Sequence, residues 1–192
     1  MMRSLRIEIP ERLSDEVVGL RPLRPDDARP YAAAFRADPE LGWLAGYEDD
    51  PDEDWVRKRA EEQPRWAEEG KGLELAIADP GLGEFWGCVT LHGFDWKDRR
   101  CEVGFWLVPE IRQRGVGTRA TSLAVSWAFE NLDLLRVEMT TTPDNPVVPR
   151  LARRLGFTYE GTLRKRAVEQ GRRVDVLWFG VLREEWTAET AG

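Results

Sequence analysis

The spacing of hydrophobic positions changes several times along the chain, and each change marks an element. Tyr31, Ala34 and Phe35 recur at helical spacing after the strand-like "VGLRPL". Asp26 or Asp27 is placed to cap that helix. A second helix is predicted to start near Asp52 to Asp54, within "DDPDEDWVRKRAEEQPRW". Three strand-like runs follow, "LELAIA", "FWGCVTLHGF" and "CEVGFWLV", joined by the turn segments "DPGLGE" and "DWKDRR". This order predicts an antiparallel meander. Ala120, Leu123, Ala124, Trp127 and Ala128 then form the apolar stripe of a helix running from Thr118 to near Asn131. "LRVEMTTT" alternates as a strand does. In "PDNPVVPRLARRLGF", Asn145 is the expected N-cap and Pro146 the first helical residue. Arg153 and Arg154 suit the negative C-terminal end of that helix, and Gly156 stops it. "VDVLWFGVLREEW" is the last strand. Together the elements predict an α+β fold, an α/β sandwich. It has a mixed, mostly antiparallel sheet, flanking helices and one strand–helix–strand unit in the middle.

Composition narrows the function. A chain of 192 residues fits one domain, 1–192, with a real core. The net charge of -7 argues against a nucleic-acid partner. No run is apolar enough for a membrane span or a signal peptide, so a cytoplasmic location is expected. Cys88 and Cys101 lack metal or redox spacing and read as reduced core residues. One histidine, His92, gives a His-based triad or a metal site little to draw on, and it reads as a strand surface residue.

The stretch "RQRGVGTRA" needs a separate explanation. Arg112, Arg114 and Arg119 crowd together around Gly115 and Gly117, between a strand and a helix N-terminus. Such a terminus offers free N–H groups and partial positive charge, and glycines let an anion approach the backbone. A phosphate ligand reconciles the arginines with one another, with Arg112 and Arg114 adding charged contacts. A P-loop fails, because no lysine precedes Thr118. The dinucleotide pattern G-x-G-x-x-A matches as letters, but it belongs to a parallel, doubly wound setting.

"RQRGVG" resembles the R/Q-x-x-G-x-G/A motif of the GNAT superfamily of acyl-CoA N-acyltransferases. "NPVVPRLARRLGF" resembles that family's Asn-initiated helix. "VGLRPLRPDDA", "LGFTYEGTLR" and "DVLWFGVLREEW" are similar to its subgroup that acetylates ribosomal-protein N-termini. The resemblance covers nearly the whole chain and implies a GNAT-like acyltransferase fold. It implies acetyl-CoA as cosubstrate, no metal, and transfer to a primary amine such as a protein N-terminus or a small cationic amine. Backbone amides of Gln113, Arg114, Gly115, Val116, Gly117 and Thr118 would hold the pyrophosphate. A splayed strand at Trp106, Leu107 and Val108 would pair with the pantetheine amides, and Asn145 would contact the same arm.

Acyl transfer to an amine needs a base, a donor to the carbonyl oxygen and a proton for the leaving thiolate. Glu102 is the candidate base. Alternation puts it on one face with Gly104 and Trp106, with Val103, Phe105 and Leu107 opposite. Its alternative is an edge carboxylate paired with Arg99 or Arg100. The subgroup's usual serine is Val148 here, so Tyr159 or water would protonate the thiolate, or catalysis is weak; the alternative for Tyr159 is a packing residue. Asp175 either orients substrate or pairs with Arg172 or Arg173. The acidic run "EDDPDED", Glu48 to Asp54, either attracts a cationic acceptor or caps a helix in solvent. Tryptophans such as Trp43, Trp55 and Trp66 line a cleft or pack the core. The rival functions are a non-catalytic acyl-CoA sensor and a nucleotide binder. A monomer and a homodimer both remain open.

Overall fold

The computed structural model describes residues 6–45, 47, 49–169 and 171–187. Its frame is one eight-stranded sheet in the order β1-β2-β3-β4-β5-β6-β8-β7. The strands are β1 (Leu13–Ser14), β2 (Gly19–Pro22), β3 (Leu73–Ala78), β4 (Phe85–Asp95), β5 (Arg100–Leu107), β6 (Arg136–Thr141), β7 (Thr158–Glu169) and β8 (Arg172–Leu182). The helices are α1 (Ala28–Ala37), α2 (Leu41–Leu44), α3 (Glu53–Glu68), α4 (Val116–Asn131) and α5 (Val147–Arg154). Every neighbouring pair is antiparallel except β5 and β6, which are joined through α4. The predicted α+β sheet is therefore present, and the strand–helix–strand unit in the middle, β5–α4–β6, is its one parallel pair.

Each face of the sheet has its own core. Leu75, Val103, Leu107 and Val137 pack with Ala120, Ala124 and Trp127 of α4 and Leu151 of α5. Ala76, Cys88 and Trp106 pack on the other face against Tyr31 and Phe35 of α1 and Val56 of α3. Strand alternation produces this division, because successive side chains point to opposite faces.

Local chemistry sets the helix ends. Asp52 caps α3, accepting from the Trp55 amide at 2.7 Å. Asp27 stands at the N-cap of α1 but does not cap it with its side chain. It is buried in a bidentate pair with Arg21, at 2.7 and 2.8 Å, and it accepts from the Arg24 amide. The helix after Asn145 starts at Val147, one residue later than expected, with Pro146 in the cap position. Asn145 Oδ1 accepts from the Val147 amide at 3.0 Å, a turn bonded to its own backbone rather than a full cap. Gly156, at φ 78°, ends α5 as predicted. The strand β7 was not foreseen. It is exposed almost throughout, so it carries no alternating signal.

Candidate active site

β5 organises the site. On one side it pairs with β4 as far as Leu107. On the other it pairs with β6 only over Arg100–Glu102 against Arg136–Glu138. Residues 103–107 therefore diverge from β6 and leave an open backbone edge between two strands. This edge is where the sequence placed Trp106, Leu107 and Val108. Val108 donates to the Trp86 carbonyl at 2.9 Å, which fixes the end of the strand against β4. The Trp106 side chain points away from α4. It sits among Tyr31, Phe35 and Phe85 with ring centroids 4.7, 5.0 and 5.8 Å away.

The glycine loop follows, and its two glycines serve different ends. Gly115 holds φ 80° at the N-cap of α4, and a Cβ there would meet open space. Gly117 lies inside the first turn of α4, because the helix starts at Val116 rather than Thr118. A Cβ on Gly117 would stand 2.8 Å from Phe105 Cε2, so this glycine lets α4 lie directly on β5. Gln113 also has positive φ, 63°, and is exposed. No side chain caps α4, so its first-turn amides, through Thr118, are left for another partner.

The arginines divide as well. Arg112 binds the Leu107 carbonyl at 2.9 Å and Asp38 at 2.6 Å, tying the loop to the segment after α1. Arg119 pairs with Asp15 at 3.1 Å. Arg112, expected to serve a phosphate, here shares its guanidinium between the Leu107 carbonyl and the Asp38 carboxylate. Arg114 is exposed, and no described residue pairs with it.

Glu102 lies at the root of the splay, on one face with Gly104 and Trp106 as alternation required. Neither arginine proposed as its partner takes it. Arg99 binds Asp133, and Arg100 binds Glu138 at 2.9 Å and Asp95 at 3.3 Å. The Thr140 hydroxyl of β6 donates to Glu102 Oε1 instead.

Tyr159 is not brought to this place. It registers with Phe179, which registers with Met139, the neighbour of Glu138. Tyr159 therefore lies on the opposite face from Glu102, 53% exposed, with its hydroxyl 2.6 Å from that of Thr162. Asp175 pairs with neither Arg172 nor Arg173. It accepts from the Lys165 amide at 2.9 Å and faces that lysine's ammonium at 3.9 Å. The acidic run is largely used internally. Asp52 caps α3, and Glu53 and Asp54 both pair with Arg57 at 2.7 and 2.8 Å. Asp49 and Asp50 remain exposed, while Glu48 and the Trp43 side chain lie outside the described residues.

Both cysteines are buried. Burial pushes the Cys88 thiol well up, with the Glu74 carboxylate adding to it. The Cys101 thiol is also raised by burial, then by Glu102 and Glu138. Neither is a thiolate at neutral pH, so neither is a ready nucleophile.

Sequence reasoning missed three site residues. Glu74 is buried under α1 and α3, bound to Arg59 at 2.9 Å and to the Tyr31 hydroxyl at 3.1 Å. Burial pushes the Tyr31 hydroxyl up, and Glu74 reinforces the rise. The signal for Glu74 was a carboxylate inside the apolar run "LELAIA". Thr140 and His92 reach the site through strand register, which single-chain spacing does not reveal.

The acetyltransferase (GNAT) domain family matches residues 18–158. YdaF of Bacillus subtilis (strain 168), named as a ribosomal N-acetyltransferase, is 29% identical over 180 residues, 91% of this chain and 96% of its own. The spermidine N(1)-acetyltransferase of Escherichia coli (strain K12) is 28% identical over 107 residues, 56% of this chain and 58% of its own. A GCN5-related N-acetyltransferase from Brucella melitensis superposes with a TM-score of 0.75 at 26% identity, covering 93% of this chain and 82% of that one. Mycobacterium smegmatis RimJ, in complex with CoA-disulfide, shares the fold with a TM-score of 0.80 at 24% identity, covering 90% and 87%. No helix among the described residues is long and apolar enough to cross a membrane. With the splayed strand, the uncapped helix and most of the chain matched, the chain belongs to the GNAT acetyltransferase family and is an N-acetyltransferase.

Proposed function

We propose that this chain, acting as one domain, moves the acetyl group of acetyl-CoA directly onto a primary amine. The acceptor is a protein N-terminus or a small cationic amine. One observation carries the reading: β5 joins an open backbone edge to a carboxylate that no cation among the described residues neutralises. Beyond Glu102, alternate N–H and C=O groups of β5 have no strand partner on the β6 side. The two amides of a pantetheine arm suit that edge. Asn145 follows the other arm of the splay, and its side-chain amide nitrogen has no partner among the described residues. The open edge leads to the first turn of α4, where uncapped amides and Arg114 suit a pyrophosphate.

The ammonium of the acceptor binds at Glu102, and its proton must leave before the nitrogen lone pair attacks. The amine then attacks the thioester carbon while a β5 N–H donates to the carbonyl oxygen. The C–S bond breaks, the sulfur keeps the electron pair, and the second nitrogen proton neutralises the thiolate. The raised thiols of Cys88 and Cys101 favour this direct path over an acyl-cysteine intermediate.

Thermal unfolding with acetyl-CoA, CoA and NAD tests the reading. Acetyl-CoA at about 100 times its Kd should stabilise by about 2.7 kcal/mol. For a chain of this size that raises Tm by about 5–10 °C. NAD should leave the midpoint unchanged. The Glu102→Gln variant should keep the acetyl-CoA shift and lose kcat/KM for the amine by about 10–10²-fold, chiefly through KM. No shift with acetyl-CoA overturns the reading. A shift without CoA release to any amine in a broad screen replaces it with the acyl-CoA sensor.

A further inference from the structure

We propose that His92 carries the acceptor's proton: Glu102 holds the ammonium, and the imidazole removes its proton. The inference deepens the transferase reading and rests on it.

Three observations converge. His92 of β4 is the cross-strand partner of Glu102, so both side chains stand on the same face. The imidazole leans over Gly104, with Nε2 3.7 Å from the place a Cβ on that residue would occupy. Gly104 is therefore a bare position at the start of the open edge, bordered by an imidazole and a carboxylate. Finally, His92 is half-buried, and neither ring nitrogen has a hydrogen-bond partner among the described residues.

The surrounding charges sharpen the assignment. By register, the charged groups on this face of strands β3 to β6 are Glu102 and Arg100 of β5, Glu138 and Arg136 of β6, Asp95 of β4 and Glu74 of β3, with Arg59 of α3 on Glu74. Arg100 bridges Asp95 and Glu138, and Arg59 holds Glu74. Among the described residues of this face, Glu102 is the carboxylate without a cation, and Thr140 already occupies its Oε1. A carboxylate beside an ammonium favours the charged amine, so the group that binds it best is poorly suited to deprotonate it. A neutral imidazole has no such conflict, and imidazoles exchange protons near neutral pH.

The step balances. An N–H bond of the ammonium breaks and its proton goes to imidazole Nε2. The freed lone pair forms the N–C bond, the C–S bond breaks, and the second nitrogen proton passes to the thiolate. The imidazolium then releases its proton to solvent.

His92 is the only histidine of the chain, so its ring Hε1 resonance is identified without assignment. Saturating acetyl-CoA should move that resonance, and CoA should move it less, because the acetyl group lies over Gly104. With an amine that the wild type acetylates, His92→Asn should lower kcat/KM at pH 7 by about 10²-fold. The loss should shrink as pH rises and the free amine becomes abundant. His92→Asn should keep the acetyl-CoA thermal shift, and Glu102→Gln should raise the amine KM more than it lowers kcat. An unmoved resonance with acetyl-CoA bound, or an unchanged kcat/KM and pH profile in His92→Asn, overturns the role of His92 alone. Absence of any thermal shift overturns the transferase reading, and this inference with it.

Discussion

Glu102 and Glu138 are neighbours in register across β5 and β6, yet they meet opposite environments. Glu138 is 6% exposed and held by two guanidinium groups, Arg100 at 2.9 Å and Arg136 at 2.8 Å. Arg136 continues the ladder to Glu160 of β7 and lies over Gly180, where any larger side chain would displace it. Glu102 has a hydroxyl for a partner and no cation among the described residues. One carboxylate closes a network across three strands where the sheet is intact. The other stands where the strands part, with unspent charge. One sheet row thus combines a closed ion ladder with a carboxylate that has no cation among the described residues, the place proposed above for the acceptor amine.

The sharpest way to break the comparison is to neutralise each carboxylate in turn. Glu102→Gln should reduce kcat/KM for the amine by about 10–10²-fold, chiefly through KM, and leave Tm within a few degrees of the wild type. Glu138→Gln should do the reverse. It leaves Arg100 and Arg136 without their shared partner, which costs about 1–3 kcal/mol given the partial exposure of both arginines. That lowers Tm by about 2–12 °C, while kcat/KM falls less than about tenfold. Calorimetry together with a CoA-release assay on both variants decides the matter. Equal losses of activity would mean the ladder and the site act as one unit.

The two glycines of the loop extend the contrast to the cosubstrate side. Gly115→Ala forces a left-handed conformation on a residue with a side chain, at about 1–2 kcal/mol. Its methyl also points into open space beside the free amides. Gly117→Ala instead drives a methyl onto Phe105, an overpacking cost of about 1–3 kcal/mol. Both should lower Tm. Gly115→Ala should weaken acetyl-CoA binding in titration calorimetry at constant fold, whereas Gly117→Ala should displace α4 from β5 and weaken binding only as stability falls.

Much of this was legible along the chain. Period-two and period-3.6 patterns located β3, β4, β5, α4 and β6 within a residue or two, because each buries one face or stripe. The glycines and the Asn-Pro turn marked the loop proposed to hold the cosubstrate, for local conformational reasons. The ambiguity in Glu102 could not be resolved that way. Arg99 and Arg100 lie close in sequence, but Asp133 and Glu138 claim them through contacts between distant segments. The same limit hid Asp27 in its pair with Arg21 and His92 beside Glu102. β7 was lost for a different reason: a strand exposed on both faces has no pattern to read.

The smallest expected effect comes from the outer end of the ladder. A hydrogen bond from Arg136 holds the Glu160 carboxyl below its ordinary value of 4.5, and burial opposes the shift only in part. A depressed carboxyl contributes stability above its unfolded pKa and loses it as pH falls through the folded value. The wild type should therefore lose part of its stability on acidification below about pH 4.5. Glu160→Gln should start slightly less stable at pH 7 and lose less across the same window, so the two Tm curves converge in acid. Because the pair is partly exposed, added salt should narrow the gap at pH 7. Parallel curves at every pH would show that Arg136 draws its anchorage from Glu138 alone and that the ladder ends at β6.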